Sequence, residues 1–288
     1  MSDTVKVACV QTNSARDFAP NIEAVSGFVR DAAGAGAEFI LLPETANLME
    51  PKRRLLAEKV VAEDDDPMLA ACRALAAETG AWMLAGSIIV RAGADKVANR
   101  SFLLDPAGAI AARYDKIHMF DVDLGNGEFY KESAVYDAGD TAVVADLPWG
   151  RLGMTVCYDL RFPHLYRTLA HAGADFLSIP AAFTRTTGRA HWHVLLRARA
   201  IETGCFVFAP AQCGEHAEGR ETYGHSLIID PWGEVLADGG GEVGFVIADI
   251  DPTAVAEARG KVPSLTHDRS ITPPDADEPS ASPVARAS

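Results

Sequence analysis

The chain has 288 residues, with 26 Lys and Arg against 40 Asp and Glu, giving a formal net charge of −14. That sign argues against nucleic acid or an anionic membrane surface as the main partner, because both select basic patches. With 48% hydrophobic and 23% charged residues, the chain reads as a globular protein with ample core, neither disordered nor collagen-like.

In chain order, Val5 to Val10 reads as a strand and Phe39 to Leu42 as another. Asp66-Pro67 supplies an N-cap and a proline at the first helical position; Leu69, Cys72, Leu75 and Ala76 then form an apolar stripe that Gly80 ends. Trp82 to Val90 and Ser101 to Leu104 read as further strands. The βαβα alternation predicts a sheet covered by helices.

The pattern then occurs a second time. KVACVQ (6–11) parallels GMTVCYD (153–159), GAEFILLPE (36–44) parallels GADFLSIPA (173–181), and AWMLAGS (81–87) parallels CFVFAPA (205–211). Asn99 to Gly108 matches Gly224 to Gly233, each a strand followed by an Asp-Pro-x-Gly turn, which is hairpin chemistry. Two sheets, each with helices on one face, predict an α/β four-layer αββα sandwich with an internal pseudo-two-fold repeat. No linker separates the halves, so residues 1–271 read as one domain. The Pro-, Ser- and Ala-rich stretch 272–288 reads as a mobile tail. The segment 262–271 reads either as an arm packed on a partner subunit or as a tail on its own.

The five cysteines (Cys9, Cys72, Cys157, Cys205 and Cys213) are scattered and odd in number, with no CxxC, so neither a disulfide framework nor a cysteine zinc site is expected. The first residues lack a signal-peptide pattern, and the longest apolar runs fall far short of a membrane span. The expected setting is reducing and cytoplasmic.

Cys157 lies where a β-rich run stops, just before a helical pattern over His164 to Ala172. A thiol on such a turn is exposed like a nucleophile at an elbow, and the helix N-terminus favours thiolate. The other four cysteines read as core. Glu44 ends the matching strand of the first half; a carboxylate shielded there has a raised pKa, suited to a general base. Lys116, after the first hairpin, is a candidate for oxyanion stabilisation or a solvated surface residue. Glu132 has no local signal of its own. His118, Asp121 and Asp123 match no standard metal-ligand spacing, and His191 and His193 point to different helix faces. There is no P-loop, no Gly-rich strand-to-helix dinucleotide motif and no G-x-S-x-G.

Together, LLPETANL around Glu44, YDKIHMFDVDL around Lys116 and TVCYDLRFP around Cys157 resemble the nitrilase (carbon–nitrogen hydrolase) superfamily over roughly residues 5 to 270. The resemblance implies an αββα fold, a homodimer or higher homo-oligomer, and amide hydrolysis through a cysteine thioester with no metal or other cofactor. It assigns Cys157 as nucleophile, Glu44 as base, Lys116 to the oxyanion with the Tyr158 N–H, and Glu132 as a positioning carboxylate. AFTRTTGRAHW (182–192) and YGHSLIIDPWG (223–233) look most like the deaminated-glutathione amidase branch, and less like the ω-amidases. That branch implies a small amide bearing carboxylates, with Arg161 as the cation and Phe183 and Thr187 lining the pocket. His193 and Asn126-Gly127 depart from the branch pattern. An ω-amidase, another amide, carbamoyl or nitrile hydrolase, and a catalytically silent binding subunit stay open as alternatives.

Overall fold

A computed structural model describes residues 4–93, 96–125 and 128–273. The stretch 274–288 and the Asn126-Gly127 loop position lie outside them. Two mixed sheets carry the fold. The first runs in the order Gly244–Ile250, Val5–Gln11, Phe39–Leu41, Trp82–Leu84, Val97–Leu104, with Ile88–Arg91 and Ile110–Asp115 also on Val97–Leu104. The second runs Val143–Leu147, Gly150–Met154, Phe176–Ser178, Phe206–Ala209, Leu227–Ile229, Val235–Asp238.

The repeat seen in the sequence is a repeat of sheet topology. In each half three strands lie parallel, with Val7 opposite Phe39 in one and Leu152 opposite Phe176 in the other, and an antiparallel hairpin follows. Each sheet also has an antiparallel edge strand before its first parallel strand. In the second half this is Val143–Leu147; in the first it is Gly244–Ile250, which returns from the far end of the chain to pair with Val5–Gln11. The second half therefore closes its sheet with its own strands, while the first needs the strand from the far end of the chain.

Side-chain alternation along the strands builds the layers. In the first sheet Val7, Cys9, Phe39, Leu41, Leu84 and Leu103 face the second sheet; Ala8, Val10, Ile40, Met83, Phe102 and Leu104 face helices Phe18–Gly34 and Pro67–Thr79. Phe39 and Phe208 meet edge to face across the layers, with ring centroids 6.1 Å apart. Burying each such side chain contributes roughly 1.5–3 kcal/mol. The second sheet is covered by helices Pro163–His171 and Arg185–Thr203, whose Leu165, Leu169, Trp192 and Leu196 join its core. The αββα sandwich is thus as expected.

Local signals hold with one exception. Asp66 accepts from the Leu69 N–H, Pro67 opens the helix, and Gly80 closes it in the left-handed region at φ 69°. The single strand expected over Trp82 to Val90 is instead two, Trp82–Leu84 and Ile88–Arg91. Gly86 sits between them against the backbone of the neighbouring loop, where a Cβ would stand 1.9 Å from the Leu42 carbonyl oxygen. The segment after Val262 packs on its own chain: Asp268 pairs with Arg167 and His171, and Leu265 lies against the core. Among the described residues no helix is long and apolar enough to cross a membrane.

Candidate active site

Gly86 has a consequence for Glu44. With no side chain at Gly86, the loop after Phe39–Leu41 lies directly on it, and Ser87 clamps it: Ser87 N–H donates to Pro43 O at 3.2 Å, and Ser87 Oγ accepts from Thr45 N–H at 3.0 Å. Thr45 adopts φ 54°, turning the chain back into the fold. Glu44 is left 4% exposed. Its Oε1 accepts from Lys116 Nζ and from Asn99 Nδ2, both at 2.9 Å, and its Oε2 accepts from the Ala182 N–H at 2.8 Å.

Lys116 directly follows strand Ile110–Asp115, and its N–H donates to Asn99 O at 3.0 Å. Its ammonium donates to Glu44 and to both oxygens of Glu132 at 2.9 Å. Glu132 Oε2 also accepts from the Phe120 N–H at 2.6 Å. Glu132, invisible to local sequence logic, completes a buried carboxylate–ammonium–carboxylate row.

Cys157 stands where strand Gly150–Met154 gives way to the single turn Cys157–Arg161 and then helix Pro163–His171. Its N–H donates to Pro180 O at 2.9 Å, and it is a non-glycine residue held at φ 47°. Such strain concentrates at functional sites because surrounding structure must enforce it. The enforcer is Asp159, fully buried, which accepts from Val156 N–H (2.9 Å), Tyr114 Oη–H (2.7 Å) and His118 N–H (3.0 Å), and bonds His118 Nδ1 at 2.7 Å. It ties the cysteine turn to the strand that delivers Lys116.

The electrostatics revise two expectations. Burial alone would push the Glu44 carboxyl up, but the Lys116 charge and hydrogen bonds from Lys116, Cys157 and Ala182 outweigh it and hold it below the usual value. Burial likewise opposes charge on Lys116, yet Glu132 and Glu44 keep it firmly protonated. Burial, then the Glu44 charge, push the Cys157 thiol well above its usual value despite Lys116. At rest the pair is therefore a carboxylate and a thiol, not a shielded carboxylic acid and a thiolate.

The site opens into a cleft of about 670 Å³. Glu44, Lys116, Glu132, Cys157, Tyr158, Phe183 and Thr187 all line it. Arg161 does not: its guanidinium lies 5.1 Å from the Phe183 ring centroid and 5.9 Å from that of Tyr158, with Nη1 3.2 Å from His191 Nδ1. It backs the aromatic wall instead of projecting into the cleft, because the turn at Cys157–Arg161 carries it toward helix Arg185–Thr203. Asn99 and Asp159 were missed. Asn99 stands where the second half of the repeat has Gly224, a difference between halves that marks it. Asp159 carried no signal apart from its motif.

His118 is engaged by Asp159, and Asp121 by Lys131 and Ser133, so these do not assemble with Asp123 as a ligand set. Away from the cleft lining, His193, His225 and Asp238 could hold an ion; in the structure both imidazoles bond the carboxylate, at 3.0 and 2.8 Å.

The family model for carbon-nitrogen hydrolases matches residues 6–260. A deaminated glutathione amidase of Yersinia enterocolitica is 40% identical over 92% of this chain and 93% of its own. The Caenorhabditis elegans NitFhit protein superposes with TM-score 0.84 and 34% identity over 92% of this chain; the chain spans 65% of that protein. A CN-hydrolase superfamily protein of Xanthomonas campestris, solved with an arsenic adduct in its active site, gives TM-score 0.81 and 29% identity over 94% of this chain and 99% of its own. With its three motifs gathered around one cleft of an αββα sandwich, the chain belongs to the carbon-nitrogen hydrolase family.

Proposed function

We propose that the protein is an amidase that cleaves deaminated glutathione, or a related α-keto acid amide, through a thioester on Cys157. The observation that carries this reading is the Glu44–Lys116–Glu132 row lining one cleft with Cys157, whose thiol the Glu44 carboxylate and the Lys116 ammonium both influence. The likeness to deaminated glutathione amidases supports the substrate class.

Glu44 takes the thiol proton as sulfur attacks the amide carbonyl. The high thiol and low carboxyl pKa values make free thiolate scarce, so proton transfer and C–S bond formation proceed together. As the oxyanion forms, it replaces for Lys116 the charge that Glu44 loses on taking the proton; the Tyr158 N–H, in the first turn of Cys157–Arg161, supplies another donor. Collapse expels the amine, which receives the proton from Glu44. Water then gives a proton to Glu44 and its oxygen to the acyl carbon, releasing the keto acid and restoring the thiol. Glu132 holds Lys116 in place throughout. Phe183 and Thr187 form pocket wall.

The substrate is a small molecule. Exposed Val194 and Ile201 on helix Arg185–Thr203, with Gly233 against Ile201, offer an apolar face for a second copy in a homodimer. A reducing, cytoplasmic setting suits a free thiol nucleophile. Kinetics on purified protein test the reading. kcat/KM for deaminated glutathione is expected to exceed that for α-ketoglutaramate, Cys157→Ala to abolish turnover, and EDTA to leave it intact. Turnover surviving in Cys157→Ala, or lost with EDTA, overturns the thioester; a preference for α-ketoglutaramate makes it an ω-amidase.

A further inference from the structure

With Arg161 off the cleft, the carboxylates of a keto-acid amide need another cation. Five basic residues line the cleft: Arg53, Lys116, Lys131, Arg185 and Arg220. Lys116 is held by Glu44 and Glu132, Lys131 by Asp121, and Arg185 by Glu221. Arg53 is solvent-exposed. Arg220 is partly buried and has no carboxylate partner among the described residues.

Its placement is built. The hairpin Cys213–Glu215 and Glu221–Tyr223 carries it, and Arg220 O accepts from the His216 N–H at 2.7 Å. The guanidinium lies 5.8 Å from the Tyr130 ring centroid. Nη2 donates to Ala182 O at 3.2 Å, and Ala182 in turn donates its N–H to Glu44. A single residue thus links the guanidinium's anchor to the catalytic carboxylate. Nε is buried with no hydrogen-bond partner among the described residues, as are Asn99 Oδ1 and Thr45 Oγ1 on the same cleft. Unmet buried polar atoms are costly, and guanidinium is a planar donor matched to carboxylate. The guanidinium bonds one neutral carbonyl and has no anionic partner among the described residues, and a substrate carboxylate in the cleft supplies the one it lacks.

We propose that Arg220 is the specificity-determining residue that receives the carboxylate on the acyl side of the substrate. This rests on the keto-acid amide reading above. The test compares kcat/KM for α-ketoglutaramate with that for pentanamide, an uncharged amide of the same chain length, in wild type, Arg220→Gln, Arg220→Lys and Arg161→Gln. Arg220→Gln is expected to lose at least 30-fold on α-ketoglutaramate, mainly in KM, and less than threefold on pentanamide. Arg220→Lys is expected to fall between, since it keeps the charge without the fork. Equal losses on both substrates, no loss on either, or a loss confined to Arg161→Gln overturns the proposal. A wild type with no preference for α-ketoglutaramate overturns the substrate reading itself; a preference that survives Arg220→Gln overturns only the role of Arg220.

Discussion

Lys116 Nζ stands 2.9 Å from Glu44 Oε1 inside the protein, with both side chains almost fully excluded from solvent. This ion pair spans the sequence from the end of one strand to the end of a hairpin 72 residues later. Removing one member leaves the other charge buried without compensation, which costs about 3–5 kcal/mol. Lys116→Met is expected to destabilise by that order in urea unfolding. It is also expected to lower kcat by about 100-fold or more, as loss of an oxyanion donor does. A variant with unchanged kcat removes Lys116 from the chemistry.

Cys157 carries its strain whether or not it carries a thiol. At φ 47° a Cβ is disfavoured by roughly 1 kcal/mol, which glycine does not suffer. Cys157→Gly and Cys157→Ala are both expected to be inactive, with the glycine variant at least as stable by chemical denaturation. At an unstrained site glycine is instead the less stable of the two. The reverse order here would show that the left-handed turn is not enforced.

Asp159 accepts bonds from three residues of two segments and offers no alternative donor. Asp159→Asn keeps the shape but replaces an acceptor oxygen with an N–H₂ group facing donors. Stability is expected to fall by roughly 2–4 kcal/mol, the cost of disrupting a buried charged network. kcat is expected to fall while the alkylation stoichiometry at Cys157 stays at one. Unaltered kcat would mean that the turn holds its shape without this anchor.

His216 is a site of acid sensitivity beside the cleft. Burial, opposed by its bond to Ser14, holds its pKa down to about 4 from 6.5. Nδ1 lies 3.2 Å from Ser14 O and Nε2 2.7 Å from Thr222 Oγ1, so the neutral ring donates from Nδ1 and accepts at Nε2. The unfolded chain binds this proton more readily, so stability is full above pH 6.5 and is lost as pH falls towards 4. The interval amounts to roughly 3 kcal/mol. The stability margin of wild type over His216→Gln is expected to shrink by about that amount between pH 7 and pH 4. A constant margin by denaturant titration at the two pH values would contradict it.

What was legible in the sequence was local or repeated. Strand periodicity, the Asp66-Pro67 cap and four paired segments declared the αββα layers, and three motifs declared Glu44, Lys116 and Cys157. Each depends on neighbours a few residues away or on self-similarity, which a single chain displays. Gly244–Ile250 completing the first sheet, Asp159 anchoring the cysteine turn and Arg161 lying behind Phe183 had no such signature. They are settled by which segments pack together across long separations. The protonation of the site belongs to the same class. Sequence position suggested a shielded, basic Glu44; only the fold brings Lys116 and the Ala182 N–H onto its oxygens, and their charge and dipoles outweigh the burial that the position implied.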